Sequence, residues 1–81
     1  MELWQAPIWN SARRHSIDDD TIRHVLRNFI AQTDDTGDDD VTMFIGPDPN
    51  GNLVEVGVLA TDDGPVIIHA MPGRMNRFFP R

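Results

Sequence analysis

The sequence predicts an α+β fold, a small antiparallel sheet built as a meander of three to four strands and packed against one main amphipathic helix. Three observations carry this. Ile22, Val25, Leu26, Phe29 and Ile30 recur at i, i+3, i+4, i+7 and i+8, the stripe of an amphipathic helix. After Asp40 the apolar residues gather into three short runs rich in Val and Ile, separated by turn formers. Cys is absent from the 81 residues, so the fold rests on packing or on a partner chain, without disulfides or thiolate zinc.

The spacing predicts a helix over roughly 18–32. Asp18 is placed to cap it, Ile17 and Ile22 fall at the two positions of a hydrophobic staple, and Asp19 and Asp20 complement the dipole in the first turn. Residues 32–40 hold no apolar side chain except Thr methyls and read as a solvated loop. Val41 to Gly46, Leu53 to Ala60 and Pro65 to Met71 read as strands, with turns at 47–52 and 61–64. Leu3 to Trp9 adds a candidate edge strand, where Pro7 is tolerated. Residues 10–16 read as a basic connector or a short turn of helix.

A helix over one face of such a sheet leaves the other face exposed or partly covered, and a site belongs there. The register of the last hairpin decides its composition. A two- or four-residue loop sets His69 beside Val56 or Val58, whereas a three-residue loop brings it near Gly57 and Glu55. Both registers are open at the level of sequence.

The length and a hydrophobic content of 40% fit a single domain over residues 1–81. No stretch approaches the roughly 18 apolar residues of a membrane span, and the Met1-Glu2 start lacks the basic and apolar regions of a signal peptide. We expect a soluble cytoplasmic protein with no membrane partner. Thirteen acids against seven bases give a net charge of −6, which excludes a broad polyanion-binding surface. Eleven of the acids are Asp in turn and cap positions, while every base is Arg. Arg13 and Arg14 precede the helix, and Arg74, Arg77 and Arg81 follow the last strand, so a basic patch forms if the chain ends meet.

His69 in an apolar strand, with Arg74 just beyond it, pairs an acid/base group with a phosphate clamp. Glu55 is the one strand carboxylate. With the neighbouring valines on the helix, it points away as a general base or a solvated side chain. Arg13, Arg14 and His15 form a second basic group. Arg23 and Arg27 are spaced to pair with Asp19 and Asp20 along the helix. The Asp34 to Asp40 cluster lacks the alternation and terminal Glu of a calcium loop, and His15, His24 and His69 have no zinc spacing, so neither metal nor cofactor is expected. Trp4, Trp9, Phe78 and Phe79 either close a small core or form a docking patch.

Arg14-His15-Ser16-Ile17-Asp18 before the helix, then Phe44-Ile45-Gly46, Leu53-Val54-Glu55-Val56 and Val66 to Arg74, in this order and spacing, resemble the BrnT-like toxins of the RelE/ParE superfamily. The resemblance covers roughly 13–78. Ser16 stands where the family's R-H-G-I motif has Gly, and Arg74 lies somewhat beyond the Arg of its I-S-A-R strand. The resemblance implies a bacterial type II toxin, a ribonuclease on messenger RNA, neutralised by an antitoxin partner. In that reading Glu55, His69 and Arg74 are catalytic, and Arg13, Arg14, His15 and Arg77 bind RNA. The competing expectation is a non-catalytic interaction module or homodimer that uses its aromatic termini and acidic rim. DNA binding ranks third, since no helix offers enough bases for a major groove.

Overall fold

The computed structural model describes residues 2–73. Arg74, Arg77, Arg81, Phe78 and Phe79 lie outside the described residues. The α+β architecture is as expected: one α-helix and a four-stranded antiparallel sheet with its strands in sequence order. Among the described residues, no helix is long and apolar enough to cross a membrane.

Asp18 starts the helix. Its backbone is extended and its carboxylate accepts the Thr21 N–H at 2.7 Å, which holds the Asp18 carboxyl below its usual range. The helix α1 runs over Asp19–Arg27, shorter than the sequence pattern suggests. It stops at Asn28, whose side-chain amide donates to the His24 carbonyl at 2.8 Å. The cause lies in the sheet. A Cβ at Gly46 would sit 2.8 Å from the Phe29 Cα and 3.2 Å from the Val25 and Asn28 carbonyl oxygens, so the chain descends onto a strand that has no side chain there. Phe29 and Ile30 therefore leave the helix. Phe29 packs edge-on against Phe44, and the Ile30 N–H donates to the Ile45 carbonyl at 2.8 Å. The next residues form strand β1, Ala31–Thr33, where the pattern suggested helix end and loop.

The other strands are β2 Val41–Pro47, β3 Leu53–Thr61 and β4 Gly64–Pro72, each within a residue or two of its expected range. Phe44, Val54, Val56, Val58, Ile67 and Ala70 face Ile22, Val25 and Leu26 of α1 to make the core. Complete burial of Ile22, Val25 and Val56 contributes about 1.5–3 kcal/mol for each. The aspartates act largely as turn punctuation. Asp38 accepts the Asp40 N–H, and Asp48 accepts those of Asn50 and Asn52.

The N-terminal segment closes the core from the β4 side. Two 3₁₀ turns, Leu3–Gln5 and Asn10–Arg13, bracket a short stretch that touches Ile67. The Ile67 N–H donates to the Pro7 carbonyl at 2.8 Å and the Trp9 N–H to the Ile67 carbonyl at 2.9 Å. The expected edge strand is thus a single parallel bridge, Ile8 to Ile67, in which Pro7 serves only as an acceptor. Trp4 packs on the core, while Trp9 remains half exposed.

Arg23 ties this segment down. Its guanidinium donates to the carbonyls of Trp4 at 2.6 Å and Ala6 at 3.0 Å, and Arg27 lies over the Trp4 ring at 5.0 Å. This corrects the expected pairing of Arg23 and Arg27 with Asp19 and Asp20, because the two carbonyls sit within reach and need a donor. Replacing Arg23 by Ala is expected to cost about 1–3 kcal/mol and to loosen the first ten residues, read by thermal unfolding and limited proteolysis.

Candidate acid–base site

Alternation along β3 sends Val54, Val56 and Val58 to the helix and Glu55 and Gly57 to the opposite face. Glu55 is on that face and fully buried, which sets aside the solvated alternative. β3 is an interior strand, so Glu55 lies directly between Ile45 of β2 and Met71 of β4. Ile45 is itself fully buried: a Cβ at Gly73 would meet the Ile45 Cδ1 at 2.8 Å, and the Gly73 N–H donates to the Leu53 carbonyl at 2.8 Å. The face away from the helix is therefore closed over its centre.

His69 reaches this carboxylate through a β-bulge. The hairpin has the tight two-residue loop Asp62-Asp63, with Thr61 paired to Gly64, which would carry His69 to Val56 on the helix side. Between Val58 and Gly57 the register shifts by one, since Ile67 pairs with Val58 and His69 with Gly57, and Ile68 is the additional residue. Its carbonyl turns to accept the Ser11 hydroxyl at 2.7 Å, while Ile67 is held on both sides by Pro7 and Trp9. The N-terminal segment thus stabilises the bulge that flips His69 to the other face. The two-residue loop belongs to one of the two registers left open by the sequence, and the bulge selects the other beyond Val58.

Gly57 completes the seat. It sits in one row between Met43 and His69, and a Cβ there would approach the Met43 Sδ to 2.8 Å and the His69 Cβ to 3.0 Å. His69 Nε2 lies 3.7 Å from Glu55 Oε2, beyond hydrogen-bond length and within ion-pair reach. The His69 side chain is 29% exposed, the Glu55 side chain not at all. On the outer side the His15 ring meets His69 edge-on, with centroids 6.2 Å apart and planes at 74°. His15 and Arg14 are exposed. The result is a graded line from solvent to core: His15, then His69, then the buried Glu55.

Ser16 turns the chain just after His15. Its φ of +61° is left-handed, a conformation that strains a side chain other than Gly. Exchange of Ser16 for Gly is expected to stabilise the protein by about 0.5–1 kcal/mol with no contact altered, measured as a rise in Tm.

The other anticipated residues divide clearly. His69, Glu55 and His15 fall in one neighbourhood, and Arg14 is exposed next to His15 in the chain. Arg13 turns away and forms an ion pair with Asp19 in the first turn of α1, where the carboxylate raises the Arg13 pKa by hydrogen bonding and charge. Gly57 was expected beside His69 in one of the two registers but given no role, and Ser11 was not anticipated. A Gly inside an apolar strand is the signal that could have marked the first, whereas nothing local marks the second. Among the described residues, no group of three or more His, Asp or Glu is arranged to hold a metal ion.

An imidazole beside a buried carboxylate, with a second imidazole on its outer side, is suited in kind to accept and return a proton. No protein-family model, curated protein or solved structure matches the chain.

Proposed function

We propose that this protein is the toxin of a bacterial type II toxin–antitoxin system and cleaves messenger RNA without a metal. The observation that carries the reading is the buried Glu55 beside the partly buried His69, with the exposed His15 ring edge-on to His69. Burying a carboxylate in the middle of a small sheet costs stability, and an acid–base role is a reason to retain one. The left-handed Ser16 supports the family reading, since it occupies the position where the BrnT-like motif carries Gly.

In the proposed reaction His69 removes the proton of a ribose 2′-OH, and Glu55 stabilises the imidazolium that forms. The 2′ oxygen attacks the adjacent phosphorus in line, while Arg14 offsets charge on the phosphoryl oxygens. Arg74 and Arg77, outside the described residues, are assigned to the same clamp. The net charge of −6 fits an antitoxin that presents basic residues.

The test is cleavage of a long single-stranded transcript in chelator, with and without ribosomes, alongside growth on induced expression. Growth arrest and discrete fragments support the proposal. Harmless expression with intact RNA overturns it.

A second reading has its own observation. Phe29 is 40% and Ile30 57% exposed beside the short outer strand β1, a surface suited to a protein partner or a second copy. A non-catalytic module of this kind leaves RNA whole and loses its partner on Ile30→Asp.

A further inference from the structure

We propose that His15 is the general acid of this site, acting opposite His69 as the base; the assignment rests on the ribonuclease reading and adds a further catalytic residue to it. His15 and His69 are far apart in sequence, and the connection is made by the N-terminal segment folding onto β4. Their rings stand 6.2 Å apart, centre to centre, and nearly perpendicular. In-line displacement needs a proton acceptor at the attacking oxygen and a donor at the leaving oxygen on opposite sides of phosphorus. Hydrogen bonds of about 2.6–3.2 Å at each end ask for the two imidazole nitrogens to stand roughly 6–9 Å apart, a span within reach of nitrogens on rings whose centroids are 6.2 Å apart.

The surroundings of the two rings assign the roles. His69 touches the buried Glu55 carboxylate, which favours the ring that has gained a proton. His15 is exposed, and the left-handed Ser16 directs the chain immediately after it back toward α1. Arg14, the preceding residue, is exposed, whereas Arg13 is engaged by Asp19.

The step balances. His69 takes the 2′-OH proton, and the electron pair left on the 2′ oxygen forms the new O2′–P bond. The P–O5′ bond breaks, its pair stays on the 5′ oxygen, and that oxygen takes a proton from His15. The products are a 2′,3′-cyclic phosphate and a 5′-hydroxyl. Solvent then reprotonates His15 and removes the proton from His69.

Replacement of the leaving oxygen tests the role of His15 directly. The preferred linkage, mapped on a long transcript, is synthesised in a short oligonucleotide with its 5′-bridging oxygen or with sulfur there, since a thiolate leaves without a proton. His15→Ala is expected to slow the oxygen substrate by about 10²–10⁴-fold and the sulfur substrate by less than about tenfold. His69→Ala should slow both. Circular dichroism confirms that each variant is folded. Equal losses on the two substrates for His15→Ala would make His15 a binding residue and overturn the assignment, as would no loss on either. If the unmutated protein cuts no transcript, the ribonuclease reading fails and this inference with it.

Discussion

Glu55→Gln is expected to keep the fold, hold or raise the Tm, and lower RNA cleavage by about 10²–10⁴-fold. The two side chains have the same shape, so packing between Ile45 and Met71 is retained. Glu55 is fully buried, and a neutral amide there avoids the cost of burying a charge. What the substitution removes is the carboxylate beside His69 Nε2, and with it the proposed orientation of the ring during proton transfer. Activity per folded molecule falls while stability does not. A purely structural Glu55 predicts the reverse, a less stable protein with unchanged activity per folded molecule, and unfolding curves beside cleavage rates separate the two.

Gly46→Ala is the substitution expected to harm the fold most for the smallest change in mass. The added methyl meets backbone atoms, at 2.8 Å from the Phe29 Cα and 3.2 Å from the carbonyl oxygens of Asn28 and Val25. No rotamer can relieve such contacts, so the C-terminal end of α1 must lift from β2 and disturb Phe29 against Phe44. Overpacking of this kind costs about 1–3 kcal/mol, and each kcal/mol lowers the Tm of a domain this size by roughly 4–8 °C. An unchanged Tm would show that the helix end does not depend on a bare strand at this position.

Particular residues show how far the sequence could be read. Asp18 as cap, the three long strands and the outward parity of Glu55 follow from local rules, namely side-chain hydrogen bonding at helix starts and alternation along strands. The burial of Glu55 does not follow, because it depends on Ile45, Met71 and Gly73 arriving from other parts of the chain. Phe29 and Ile30 continue the helical periodicity of Ile22, Val25 and Leu26, yet they leave α1 because Gly46 draws the backbone down onto the sheet. The position of His69 depends on one extra residue, Ile68, whose carbonyl is taken by Ser11 from the far end of the chain. Likewise, His15 and His69 are recognisable singly as candidate groups, but their meeting is a tertiary event.

Glu55, His69 and His15 together make up the proposed acid–base site for RNA. Its most direct test is the end-group chemistry of a transcript incubated with the purified protein in chelator, compared with the His69→Ala protein shown to be folded. The account predicts fragments ending in 2′,3′-cyclic phosphate and 5′-hydroxyl from the unmutated protein, reduced at least about a hundredfold by His69→Ala. Intact RNA, or the same fragments at the same rate from His69→Ala, would contradict it.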